Sequence, residues 1–320
     1  MSTLKLDGCV VTTQANSYGT RPIRPSQLKI KSLNCDNLVI NGVPNFAVQP
    51  YKTLKIPGKI VIINNIVSCL YFTSNVLAPT YVNRGSYPTV SPYDMNDNGN
   101  IVGLVFTPRV ALYWSSFTQV PASINVVSYP NAAISSINNS GRLVGFQNNA
   151  NGDGTPLYWS SYTSNPIVLR TTPYIRGRGT SINNNGQIIG NVRVSGDPCY
   201  WSSSSATPIL IVTGSYNDCV CKYINDNGNI VGYDFDLNII PLYWNSYLDS
   251  PVLVDSGIYS DTILTSINNN GNIVGYGTYN GTSVPLYWNS YTGSPIVINS
   301  GSLTPQYLTA INNNGNIIGS

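Results

Sequence analysis

The 320-residue chain contains no histidine, and all 13 of its acidic residues are aspartates, so glutamate is missing too. A nucleophile activated by histidine is therefore excluded, as are the common histidine-bearing zinc sites. A glycosidase-type pair of carboxylates would have to be built from aspartate alone. Charge is scarce: only 9% of residues are Asp, Glu, Lys or Arg, against roughly a quarter in an average globular protein. Asn, Ser, Thr, Gly and Tyr supply the polarity instead, so the surface is made of hydrogen-bonding groups more than of ions. No run of 18 apolar residues occurs, which leaves no transmembrane helix. The opening MSTLKLDGCVVTTQ lacks a basic stretch followed by an apolar one, so no secretory signal is read there.

The charges that are present are unevenly placed. Residues 1–60 carry eight Lys or Arg against Asp7 and Asp36, while residues 61–320 carry eight against eleven Asp. A basic arm of this kind suits phosphate, an acidic partner or a solvated terminus. Six cysteines (9, 35, 69, 199, 219, 221) have no zinc-ribbon spacing and are read as reduced packing residues. Residues 94–99, Asp-Met-Asn-Asp-Asn-Gly, match the start of a calcium loop. Val105 stands where the closing acid belongs, so no metal or other cofactor is expected.

What is abundant is repetition. Ile/Met-Asn-Asn/Asp-Asn/Ser-Gly-x-Ile/Leu-Val/Ile-Gly recurs six times, with its first glycine at Gly99, Gly141, Gly186, Gly228, Gly271 and Gly315. The intervals are 42, 45, 42, 43 and 44 residues. A Leu-Tyr-Trp motif or a close variant alternates with it and holds all five tryptophans: Trp114, Trp159, Trp201, Trp244 and Trp288. A sixth copy, Leu70-Tyr71-Phe72, ends 42 residues before Trp114. A proline and a β-rich run follow several of the tryptophans. Each unit thus reads strand, turn, strand, loop, strand, turn, strand. The Asn-Gly pair predicts a type I′ hairpin turn. The strands are apolar on both faces, as in sheets stacked face to face. Four strands in about 43 residues predict an all-β, six-bladed β-propeller over residues 51–320. The C-terminal hairpin (310–319) is expected to close it on the Leu70–Phe72 strand. The tryptophans read as blade packing and the motif glycines as turn residues. Leu and Trp of each motif are expected to face one neighbouring blade and Tyr the other.

These two motifs resemble those of the HAF-repeat family, although the histidine of that family's second motif is replaced here. The resemblance covers about residues 52–320 and implies a propeller, with little about function. Residues 1–50 lie outside the repeat and form a β-rich arm. Its 27–42 segment alternates in hydrophobicity, has an Asn41-Gly42 turn, and finds no strand partner within the repeat count. The arm resembles attachment regions of viral and phage fibre proteins. The Asn-rich, Glu-free composition resembles that of surface proteins of large DNA viruses. Such resemblances imply a virion surface or host cytoplasm as the location.

Two of the four connections in each unit keep their sequence and two vary. The variable ones fall on one face and form the candidate binding surface. The contact residues expected there are Asp153, Arg176, Arg178, Tyr259 and the two aspartates of the Asp234-Phe235-Asp236-Leu237 run. No catalytic residue is assigned. The preferred reading is a non-enzymatic structural or surface protein whose arm binds other subunits, as in a homo-oligomer. A glycan- or protein-binding propeller is the alternative, and an Asp-based hydrolase or lyase is the least favoured.

Overall fold

A computed structural model of the chain describes residues 5–7, 37–39, 60–62, 70–72 and 80–319, apart from 149–153, 175, 193–195, 237 and 299–306. The chain divides into two compact units, Met1–Lys55 and Ile56–Ser320. In the first, Lys5–Asp7 pairs antiparallel with Asn37–Val39. The 27–42 segment therefore finds a strand partner inside the arm itself. The Asn41-Gly42 turn lies outside the described residues.

In the second unit, five four-stranded antiparallel sheets follow one another along the chain. Blade A comprises Ser91–Met95, Ile101–Phe106, Arg109–Trp114 and Ala122–Ser123. Blade B comprises Ala132–Ile137, Leu143–Asn148, Gly154–Trp159 and Ile167–Val168. Blade C comprises Gly177–Ile182, Ile188–Val192, Asp197–Trp201 and Ile209–Leu210. Blade D comprises Cys219–Ile224, Ile230–Asp234, Ile240–Trp244 and Val252–Leu253. Blade E comprises Ser260–Ile267, Ile273–Tyr279, Thr282–Trp288 and Ile296–Val297.

The blade count corrects the sequence reading. Six blades are expected, but consecutive strands build five. The remaining sheet is composite: Leu308–Ile311 and Ile317–Gly319 pair onward with Leu70–Phe72 and then Ile60–Ile62. Its Ile317↔Phe72, Ile318↔Tyr71 register repeats Ile273↔Trp288, Val274↔Tyr287 of blade E.

Why the strands are apolar on both faces is visible between blades. Val102, Leu104 and Tyr113 of blade A pack with Leu143, Leu157 and Trp159 of blade B. Val144 and Tyr158, on the opposite face of blade B, pack with Ile188, Cys199 and Trp201 of blade C. Leu and Trp thus face the preceding blade and Tyr the following one. Each tryptophan is fully buried. Its indole N–H donates to a backbone carbonyl two residues beyond the preceding outer strand: Trp159 to Asn125 at 2.8 Å, Trp244 to Val212 at 2.8 Å. Three motif tyrosines, Tyr113, Tyr200 and Tyr243, stack on tyrosines of the next blade, as in Tyr113–Tyr162 with centroids 4.2 Å apart. Cys199, Cys219 and Cys221 are buried free thiols, and the other three cysteines lie outside the described residues.

The repeat turn differs from the type I′ expectation. In blade A, Gly99 N–H donates to Asn96 O and Asn96 N–H to Asn100 O. Only Gly99 has positive φ (79°), so the loop is a type I turn closed by a left-handed glycine. A type I′ turn does occur elsewhere, at Asn280-Gly281 between the paired Tyr279 and Thr282.

Candidate binding site: the axis and the variable-loop face

The first strand of each sheet lines the axis, and each ends in the Asn-rich turn. The first turn asparagine uses both ends of its amide. Its Oδ1 accepts from the backbone of its own turn, as Asn183 does from Gln187 N–H at 2.9 Å. Its Nδ2 donates to the equivalent carbonyl of the next sheet. The sequence Asn96→Asn138→Asn183→Asn225→Asn268→Asn312→Asn96 closes a circle of six bonds of 2.9–3.3 Å. Aspartate could accept but not donate here, which explains why every copy has asparagine.

The second turn residues form another circle. Each backbone N–H donates to the side-chain oxygen of the next, from Asp97 to Asn139 at 2.8 Å through to Asn313 back to Asp97 at 2.7 Å. Only an acceptor is required, so either Asn or Asp serves. The two aspartates, Asp97 and Asp226, stand three sheets apart. Each carboxylate takes an amide from both neighbours: Asn139 and Asn313 for Asp97, Asn184 and Asn269 for Asp226. The cavity inside these rings measures about 30 Å³, room for about one water molecule.

Below this cavity the axis is bridged. Asp94 and Tyr223 occupy equivalent places on blades A and D, and the Tyr223 hydroxyl bonds the Asp94 carboxyl. That carboxyl also accepts from Ser136 Oγ (2.6 Å), Ile137 N–H (2.9 Å) and Met95 N–H (2.8 Å). At this level Ser136, Ser181 and Ser266 each accept a backbone N–H from the next sheet. Ala310, in the same place on the composite sheet, has no oxygen to offer Met95, and Asp94 supplies one itself. Asp94 is thereby committed to the axis and not to a calcium loop.

Burial pushes Asp94 up to about 7, against the four hydrogen bonds that favour its charged form. Burial, and then the negative charge of Asp94, Asp97 and Asp226, pushes the Tyr223 hydroxyl well up. Because the folded value of Asp94 is raised, the fold favours the protonated acid. Its contribution is full below about pH 3.8, the unfolded value, and is lost as pH rises towards 7. The chain has no histidine, the side chain that ordinarily titrates in the upper part of that window. Urea unfolding between pH 5 and 7 is therefore expected to show stability falling with pH, by at most about 1.4 kcal/mol per unit for one proton. Asp94→Asn should be less stable overall, since one backbone N–H then faces an NH₂ group, but should lose this slope. An unchanged slope in the variant would assign the proton elsewhere.

The expected contact residues are partly regrouped by the structure. Arg178 lies on the first strand of blade C and not in a loop. Its guanidinium sits over the Phe146 ring, 4.8 Å from the centroid, and donates to Asn148 Oδ1 at 3.0 Å. That bond joins the end of blade B's second strand to the start of blade C, so the two kinds of variable connection do meet at one end of the ring. Asp234 is buried and accepts from Asp218 N–H at 3.0 Å, so it is no surface contact. Its neighbours Phe235 and Asp236 are the exposed residues. Arg176 is part-exposed. Tyr259 packs on blade E, with its ring edge-on to Tyr279. Asp153 and Leu237 lie outside the described residues. Beyond these, the variable connections carry exposed apolar side chains that a search for charge passes over: Phe106 (57% exposed), Phe235 (60%), Ile258 (70%) and Tyr279 (45%).

No family model and no curated protein sequence matches the chain. Solved structures do. A TolB-type protein from Agrobacterium tumefaciens superposes with a TM-score of 0.63 at 9% identity, covering 82% of this chain and 98% of that one. TolB from Acinetobacter baumannii gives 0.54 at 12% identity, over 76% of this chain and 66% of its own length. The chain is an all-β propeller. At these identities the likeness concerns the fold alone, and what the propeller does has to be argued from its own surfaces.

Proposed function

We propose that this propeller is a non-catalytic protein-binding module, that its composite sheet acts as a sixth blade, and that the variable-loop face receives the partner. The observation that carries the reading is the exposure of Phe106, Phe235, Ile258 and Tyr279 on that face, apolar surface that remains in water until something covers it. The closed axis supports it, because a cavity of about 30 Å³ holds no substrate. The sixth-blade reading rests on the two hydrogen-bonded circles, which return from Asn312 and Asn313 to Asn96 and Asp97. The test replaces Phe106, Phe235 and Tyr279 together by serine in the full chain. Wild type should retain a specific protein from its native source at least tenfold better than the variant, with the same Tm. Equal retention would overturn the reading, and retention of glycans on an array would replace it by a lectin role.

An associated reading is that the arm attaches the propeller to other subunits, in a virion or another assembly. Its support is the Lys5–Asp7/Asn37–Val39 pair. A lone two-stranded ladder is marginal in water, and docking on another sheet edge would stabilise it. Deleting residues 1–55 should leave the unfolding transition in place and reduce the mass of the assembly in solution. An unfolded product would instead show that the arm belongs to the ring.

A further inference from the structure

Every axis-lining strand carries a bulge at the same place. Its ladder to the second strand skips one residue: Tyr93, Ser135, Thr180, Lys222, Thr265 or Thr309. These six stand one step from the level of Asp94 and Tyr223, on the side towards the variable loops, so the Asp94–Tyr223 bridge is the floor beneath them. The threonines are occupied. Thr180 donates to Ile189 O and Cys221 O, both at 3.2 Å, and Thr265 to Val274 O at 3.1 Å and Leu308 O at 2.8 Å. Lys222 holds the same place on blade D, and a long ammonium chain cannot close on the bulge as a threonine does. Lys222 is exposed to water, although the protein around it lowers its pKa by desolvation, and no carboxylate contributes to that shift. Among the described residues its ammonium has no acid partner.

On the axis-lining strands the charges around it have the same sign or are already used. Between this floor and the mouth, the six axis-lining strands carry two bases, Arg178 and Lys222, and one acid, Asp261. Arg178 is held over Phe146 by its bond to Asn148. Asp261 is exposed near the start of its strand, where it accepts from Ser260 Oγ at 3.2 Å. Asp94 in the floor is saturated by four donors.

We propose that the variable-loop side of the axis is an anion-recognition site, in which Lys222 receives one carboxylate of the bound protein. This rests on the reading of that face as the protein-binding one, and adds the chemistry of the group received. One ammonium balances one negative charge, and the bonded threonines leave few donors for the extra oxygens of a phosphate. A carboxylate fits both limits. It reaches Lys222 either from a chain terminus or from an Asp or Glu side chain.

The test uses the full chain and immobilised decapeptides of matched apolar composition in three forms. One form has a free C-terminus and no acid, one a C-terminal amide and a single Asp or Glu, and one an amide and no acid. The wild type should retain one of the two acidic forms at least tenfold better than the neutral form, and which form it is names the source of the carboxylate. Lys222→Met should lose that preference with an unchanged Tm, since Lys222 is exposed to water and has no acid partner among the described residues. Lys222→Arg should keep it. Equal retention of all three forms by the wild type, or a preference that survives Lys222→Met, overturns the proposal. If binding then still disappears on replacing Phe106, Phe235 and Tyr279, the face remains the binding surface and only the anion site is wrong.

Discussion

Gly232→Ala is expected to abolish folding or to cost about 3 kcal/mol or more, whereas Gly228→Ala, four residues earlier in the same motif, should cost about 1–2 kcal/mol. The two glycines are needed for different reasons. Gly228 has φ +84° and nothing within 4 Å of where a Cβ would stand. An alanine there has room and meets only the strain of the left-handed conformation. Gly232 sits in a strand, and its Cβ would lie 1.9 Å from Val220 O, a backbone atom on the axis-lining strand. No side-chain rotation relieves that clash, so the first strand would have to move away from the second. The same approach recurs at Gly145 (2.0 Å from Ala133 O), Gly190 (1.9 Å from Arg178 O) and Gly275 (2.1 Å from Ile263 O). Each lies beside the bulge that turns the first strand into the axis. Chemical denaturation of both alanine variants, with circular dichroism to detect an unfolded product, checks the order. Equal, small losses would show that the strands separate easily there.

How far the sequence foretold this follows from the reach of each interaction. The Asn-Gly and Leu-Tyr-Trp spacings reveal repeated four-stranded units, because each motif does the same local job every 42 to 45 residues. The two-sided apolar strands reveal face-to-face packing for the same reason. The turn type was not legible, since Asn-Gly fits both a type I′ turn and a type I turn closed by glycine. The split of the last repeat between Leu308–Gly319 and Leu70–Phe72 was legible from the count of motif copies, whereas the place taken by Ile60–Ile62 was not.

Choosing charged residues in variable segments, with Tyr259 the one exception, misplaced one of them. It selected Asp234, which is buried against its own strand pair, and passed over Phe235 beside it. Polar groups in tight connections often serve the backbone, while an aromatic exposed at the same place has no such use. A signal for the axial bridge did exist. In the position before each Ile-Asn or Met-Asn, the units read Asp94, Ser136, Ser181, Tyr223, Ser266 and Ala310. The two departures able to bond each other, Asp94 and Tyr223, are three units apart, and six equal units around one axis would place them across it. Lys222 was visible in the same way, as the only cation in the bulge position.

Trp244→Ala should destabilise the propeller by roughly 3–5 kcal/mol and lower Tm by on the order of 10 °C. The indole is fully buried between blades C and D, packed with Ile189, Ile211 and Leu242. Its removal leaves a cavity at a junction whose neighbours are held in place by their own ladders, so collapse can recover little of the loss. A second cost is polar. The indole N–H donates to Val212 O at 2.8 Å, and that carbonyl lies where the chain leaves the outer strand of blade C. Trp244→Phe separates the two contributions, because it keeps most of the apolar volume and deletes the donor. It should fall between wild type and alanine, losing about 1–3 kcal/mol for the acceptor left without its partner. Trp114, Trp159, Trp201 and Trp288 make the same bond to Asn83, Asn125, Arg170 and Asp255. Substituting any of them should therefore give a similar loss, whichever blade is chosen. A Trp244→Ala protein that melts with the wild type would mean the indole does not hold the blades together, and the regular tryptophans would then need another role.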